Sequence, residues 1–113
     1  LYLETFGEYQ RESANMDTGA PKNVPPLMYY ALAVNEEAGE LAGKVKKIYR
    51  DCDGFLTTAD KDDMLAEGGD LLWCLTRFCE VLGISLGEMA RRNLIKLDGR
   101  RERGTLQGSG DHR

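Results

Sequence analysis

The sequence predicts an all-α fold, a four-helix bundle completed by oligomerisation. Apolar residues recur at alternating spacings of three and four over long segments. Period-two alternation and runs of β-branched residues are both missing. The interruptions between the periodic segments are short clusters of glycine, proline and aspartate. A chain of 113 residues makes one domain, 1–113, with room for a single core but little for a deep cleft. A cleft of useful size therefore calls for a partner subunit.

The first segment, about Leu3 to Ala14, mixes apolar with polar residues and reads as a short helix. Thr18 to Pro26 is a breaker-rich loop. Its closing pair, Pro25-Pro26, suits a helix entry, because proline fits the first turn and not the interior. The second helix runs from about Leu27 to Arg50. Val34, Ala38, Leu41, Val45 and Ile48 form its seam, with Glu37, Glu40, Lys44 and Lys47 along the border. Asp51-Cys52-Asp53-Gly54 marks a turn, and the stretch to Ala59 reads as loop. The third helix covers about Asp60 to Leu82. Leu65, Leu72, Leu75, Cys79 and Leu82 make its core stripe, while Asp63, Glu67, Asp70, Cys74 and Arg77 share another. Gly83 is placed to cap this helix in the left-handed conformation. Ser85-Leu86-Gly87-Glu88 is a capping-box pattern opening a fourth helix, which carries Met89, Leu94, Ile95 and Leu97 and fades near Arg103. The rest, 104–113, is a glycine-rich tail that reads physically as a disordered end.

Composition excludes several classes. A formal net charge of -4 argues against a sequence-independent nucleic-acid binder, which needs a cationic surface for phosphates. Three cysteines, Cys52, Cys74 and Cys79, form neither a disulfide framework nor a Cys-x-x-Cys zinc or redox motif. No apolar run reaches membrane-spanning length and no signal-peptide core precedes the domain, so a cytoplasmic location without membrane contact is expected.

Two acidic clusters hold the chemistry: Glu36-Glu37-Ala38-Gly39-Glu40 and Glu67-Gly68-Gly69-Asp70. Helical positions three apart lie only about 60° from each other around the axis, so each cluster presents paired oxygens on one face. Like charges so close repel, a cost that a bound cation offsets. Oxygen ligands without histidine or cysteine favour Mg²⁺, with Mn²⁺ as substitute. The bland alternative is two charged helix faces in solvent. It is weakened by placement, since both pairs border a core stripe on helices expected to be antiparallel neighbours. A di-iron site would want Glu-x-x-His pairs, and the lone histidine, His112, sits in the tail.

At this point the residues resemble a known family. Glu-Glu-x-x-Glu followed by Glu-x-x-Asp on the next helix resembles the signature of the all-α nucleoside triphosphate pyrophosphohydrolases, which include MazG-like proteins, dimeric dUTPases, dCTP pyrophosphatases and phosphoribosyl-ATP pyrophosphohydrolase. Asn93-x-x-Lys96-Leu97-x-x-Arg100 is similar to the family's last-helix segment, and 103–113 to the tail of a MazG-like subgroup. The likeness covers about residues 27 to 113. It implies Mg²⁺-dependent cleavage between the α- and β-phosphates of a nucleoside triphosphate, giving a monophosphate and pyrophosphate, in nucleotide-pool control or house-cleaning. Carried over by position, Glu37, Glu40, Glu67 and Asp70 are metal ligands, and Glu36 holds a second ion or orients the attacking water, with Glu37 beside it in catalysis. Lys96 and Arg100 grip phosphates.

Lys44 and Lys47, about one and two turns past Glu40, are either further phosphate ligands or solvated side chains. Tyr29, Trp73 and Asn93 are the candidates for contact with the base. For Trp73 the competing reading is a subunit interface, and for Tyr29 ordinary packing. The likeness also gives the glycine-rich tail a second reading, as a donor of backbone N–H groups to a phosphate. Family assembly implies a homodimer or homotetramer. Two alternatives stand beside this reading: a phosphoribosyl-ATP pyrophosphohydrolase, and a non-catalytic helical interaction module.

Overall fold

The computed structural model describes residues 3–113, leaving Leu1 and Tyr2 outside the description. Among the described residues there are four helices and no strand: α1 (Phe6–Ala14), α2 (Pro26–Cys52), α3 (Thr58–Leu82) and α4 (Leu86–Glu102). The all-α expectation holds. Each boundary has a local cause. α1 begins three residues later than expected, because Thr5 is an extended N-cap whose hydroxyl accepts the Glu8 N–H at 3.1 Å. α2 starts on Pro26 and ends on Asp53 in the left-handed conformation at φ 53°, followed by Gly54 at φ 81°. The Tyr49 ring lies 2.8 Å from where a Cβ on Gly54 would sit, so backbone and space both call for glycine there.

α3 begins two residues earlier than expected. Thr57 and Asp60 form a reciprocal capping box, with Asp60 N–H donating to Thr57 Oγ1 at 3.1 Å and Thr57 N–H to Asp60 Oδ2 at 2.9 Å. Gly83 closes the helix at φ 72°, as its position implies. Ser85 caps α4 through the Glu88 N–H at 3.0 Å. The Glu88 carboxylate does not complete the box. It is held by the Arg91 and Arg92 guanidinium groups at 2.8 and 2.9 Å, which draw its pKa down to about 2.

α2 and α3 form an antiparallel hairpin: Lys44 meets Glu67, while the earlier Glu37 meets the later Asp70. α1 lies across the C-terminal half of α3, pinned by Gln10. Its amide nitrogen donates to Glu80 at 2.7 Å and its oxygen accepts the Leu86 N–H at 2.8 Å. α4 packs on α1 and α3 and makes no contact with α2. The glycine-rich tail is not a free end. Arg100 donates to the Asp111 carbonyl at 3.0 Å, and Arg113 donates to the carbonyls of Thr105 and Gly110 at 3.1 and 2.6 Å, folding 103–113 back on itself.

The buried apolar set is small, namely Tyr30, Ile48, Cys74, Cys79 and Leu86. Leu65, expected in the α3 core stripe, is 74 % exposed, and Leu94 on α4 is 67 % exposed. Of the expected stripe, Cys79 is fully buried and Leu72 and Leu75 are half-buried; Cys74, Thr76 and Arg77 join Cys79 on the buried face because α1 covers that side. The consequence is an open shape. The radius of gyration is 17.0 Å, against about 13 Å for a compact chain of this length. The accessible surface is 8394 Å², against about 6,200 Å² for a compact monomer of 12.6 kDa. All three cysteines are free, and no described helix is long and apolar enough to cross a membrane.

Candidate functional site

The hairpin register brings the two acidic clusters together. One carboxylate oxygen each from Glu37 on α2 and from Glu67 and Asp70 on α3 lie within 4.8 Å of one another. An octahedral Mg²⁺ with bonds of about 2.1 Å has neighbouring ligand oxygens about 3 Å apart and opposite ones about 4.2 Å apart. At separations of up to 4.8 Å, side-chain rotation would have to draw the three oxygens together around such an ion. Crowding shows in Glu37, whose carboxyl is raised above its ordinary pKa first by burial and then by Asp70, Glu36, Glu67 and Glu40. Glu40 thus belongs to the same electrostatic neighbourhood, although it is exposed and stands outside the trio.

Lys44 reaches Glu67 with its Nζ 3.9 Å from Oε1. Both side chains are partly solvated, so this long pair contributes only a fraction of a kcal/mol, about 0–1. The lysine is free to turn to another anion. Lys44 and Lys47 together line a groove of about 240 Å³ beyond the acids, shared with Ile48, Asp51, Asp60 and Asp63.

On the other side of the trio a cleft of about 230 Å³ is lined by Tyr29, Tyr30, Glu36, Glu37, Asp70 and Trp73. Its aromatic end and its acidic end are continuous. Both base candidates from these helices, Tyr29 and Trp73, border it, and Glu36 faces it beside Glu37. The Trp73 Nε1–H donates to the Ser13 carbonyl at 3.1 Å, which anchors α1 to α3. The α4 candidates are elsewhere. Neither groove beside the acids includes an α4 residue; Asn93 and Lys96 are exposed on α4. Arg100 is buried, with its guanidinium on the tail carbonyls.

Several residues without an assigned role also shape the site. Cys74 borders the same cleft, and its thiol pKa is pushed up by burial and then by Glu37, Asp70 and Glu36. Tyr30, 4 % exposed, donates to Asp17 Oδ1 at 2.6 Å and packs edge-on against Tyr29 with ring centroids 5.3 Å apart. Burial, followed by the Asp17 hydrogen bond, raises its pKa from 10.0 to about 12. For an acid whose folded pKa is raised, the associated stability is fully present below the unfolded pKa and is lost as pH rises through the folded one. Stability should therefore fall between pH 10 and about 12, and Tyr30→Phe should remove that part of the fall in urea titrations at successive pH values. A pH profile identical in the variant contradicts the Tyr30 assignment.

With that geometry in place, comparison with known proteins is informative. The MazG nucleotide pyrophosphohydrolase domain profile matches residues 28–105, which takes in both acidic clusters and the cleft. The Gene 37 protein of Mycobacterium phage L5 is 44% identical over 91 residues, covering 80% of this chain and 80% of that protein. No solved structure matches. The chain belongs to the MazG nucleotide pyrophosphohydrolase domain family.

Proposed function

We propose that this chain is a Mg²⁺-dependent nucleoside triphosphate pyrophosphohydrolase, converting a (d)NTP and water to a (d)NMP and pyrophosphate, in nucleotide-pool control or house-cleaning. The observation that carries the reading is the carboxylate trio, two of whose members, Glu37 and Asp70, line an aromatic-walled cleft. Glu37, Glu67 and Asp70 would hold the ion, with Glu40 able to join them from the next turn of α2. Mn²⁺ is the natural substitute for an all-oxygen set. When bound, the metal neutralises phosphate charge and polarises the water.

The protein's own side chains do the rest. Tyr29 and Trp73 flank the base at the aromatic end. That places the triphosphate over the acids and its outer phosphates toward Lys44 and Lys47. Glu36 accepts a hydrogen bond from the attacking water and takes its proton as the new P–O bond forms at the α-phosphorus. The bond from that phosphorus to the bridging oxygen breaks, and pyrophosphate leaves with the electron pair.

The chain works as a homodimer or homotetramer. Its surface exceeds that of a compact monomer by roughly 2,200 Å², comparable to what an obligate interface buries. Asn93 and Lys96, on a helix that does not touch α2, would serve the site of a second copy. For Arg100 to meet a phosphate, its guanidinium would have to leave the Asp111 carbonyl; in the folded tail it shapes the end of α4. The test is a panel of ribo- and deoxynucleoside triphosphates with phosphoribosyl-ATP alongside, scored for pyrophosphate against orthophosphate. Pyrophosphate release from nucleoside triphosphates is expected. Release of orthophosphate alone, or no release from any substrate, rejects the proposal.

A further inference from the structure

Arg77 is 3 % exposed yet lines none of the grooves beside the acids. It lies two helical turns past Asp70, on the part of α3 that α1 covers. Its Nη2 donates to Ser13 Oγ at 2.7 Å and to the Gln10 carbonyl at 3.2 Å, and its Nη1 stands 3.9 Å from Asp17 Oδ2. The guanidinium carbon sits 5.8 Å from the Trp73 ring centroid.

Each of these partners is tied to the cleft. Asp17 accepts the Tyr30 hydroxyl and, from the same oxygen, the Gly19 N–H at 2.8 Å, which fixes the loop between α1 and α2. Ser13 supplies the carbonyl that holds Trp73. One buried cation thus reaches both aromatic walls, Tyr30 through Asp17 and Trp73 directly and through Ser13. Stability alone is a poor account of it. A 3.9 Å ion pair to a half-buried Asp17 returns little of the desolvation cost of a buried guanidinium, and among the described residues the Arg77 Nε has no hydrogen-bond partner.

We infer that Arg77, acting with Asp17, is a positioning residue that sets the aromatic walls of the cleft for nucleobase selection without touching the nucleotide. This rests on the proposed nucleotide site and adds to it the device by which the base end is held in shape. Tyr30 and Trp73 are bonded to Asp17 and Ser13, the partners of Arg77, and the metal trio is not, so the trio keeps its geometry when the anchor is removed whereas the base end does not.

The experiment separates the two ends. Trp73 is the sole tryptophan, so its fluorescence reports occupancy of the cleft directly. The full chain is titrated with α,β-imido deoxynucleoside triphosphates of the four bases, which bind without turnover, and separately with Mn²⁺ by calorimetry. Arg77→Met should weaken the best analogue about tenfold or more and flatten the differences among bases, with Mn²⁺ affinity within about twofold. Arg77→Lys, which keeps the charge facing Asp17, should recover part of the loss. Should Arg77→Met fail to fold by circular dichroism, Tyr30→Phe decides, because it removes the 2.6 Å bond and leaves the buried cation in place. It should reduce base selectivity in the same direction.

Wild-type affinity and selectivity in Tyr30→Phe and in any folded Arg77 variant would overturn the inference. Equal loss of Mn²⁺ binding would also overturn it, by reducing Arg77 to general scaffolding. A wild-type chain that binds the analogues but releases no pyrophosphate from substrates would reject the proposed reaction and leave the positioning role intact. A wild-type chain that binds none of them rejects the nucleotide site and this inference together.

Discussion

Replacing Asp70 by asparagine, or Glu67 by glutamine, is expected to abolish pyrophosphate release while leaving the helical circular dichroism unchanged. Each change preserves shape and hydrogen-bonding capacity but removes one negative charge from a trio of carboxylates whose oxygens lie within 4.8 Å. A loss of about a thousandfold corresponds to about 4 kcal/mol of transition-state stabilisation, in the range for removal of a group that organises charge at the reacting phosphate. Stability should move the other way. Asp70 is the strongest of the charges that raise the Glu37 carboxyl, so neutralising it relieves repulsion. The metal-free Asp70→Asn protein should unfold at a temperature equal to or above that of wild type. Lost activity together with a lowered melting temperature would indicate damage to the fold and leave the ligand assignment without support.

The second large effect concerns assembly. Most of the described leucines are exposed: Leu32 is 61 %, Leu65 74 % and Leu94 67 % exposed, on three different helices. Another copy of the chain that buries the roughly 2,200 Å² surplus over a compact monomer would complete the core. The expected result is that sedimentation finds a dimer or tetramer and that the melting temperature rises with protein concentration, because association and folding are one equilibrium. Leu65→Glu, at the most exposed leucine of the hairpin that carries the acids, should shift the equilibrium toward a species that loses helicity on dilution. A folded monomer whose unfolding is independent of concentration would contradict this.

The two long helices were legible in the sequence because their causes are local. Pro26 at the entry of α2 and Gly83 at the exit of α3 declare themselves by residue type, and i, i+3 spacing puts Glu67 and Asp70 on one face whatever surrounds them. Bringing Glu37 to that face needed only the antiparallel hairpin that a short connection enforces. The Thr57–Asp60 box was equally local and was available as a Thr-x-x-Asp pattern ahead of a periodic run.

What periodicity does not carry is the identity of the neighbour. Leu65 and Cys79 look alike on a helical wheel, yet one is 74 % exposed and the other 0 %, because the bonds from α1 and α4 fall on Trp73, Arg77, Cys79 and Glu80 in the C-terminal half of α3. Arg77 was read as a member of the acidic stripe for the same reason. Its burial depends on Gln10, Ser13 and Asp17, sixty or more positions earlier in the chain and brought close by α1 and the loop that follows it. The one available signal was a lone basic residue within the largely apolar run from Leu71 to Leu82. The tail differed from expectation because guanidinium groups at Arg100 and Arg113 collect its carbonyls, an arrangement that glycine content alone does not suggest.

The most direct measurement is calorimetric titration of the metal-free protein with Mn²⁺ near neutral pH, with Glu67→Gln titrated in parallel. Wild type should bind saturably and the variant far more weakly. Mn²⁺ should also stabilise wild type alone, by about 2.7 kcal/mol at a hundred times the dissociation constant. Heats that never saturate, or a Glu67→Gln protein that binds Mn²⁺ as tightly as wild type, would show that the carboxylates of α2 and α3 do not meet around a cation.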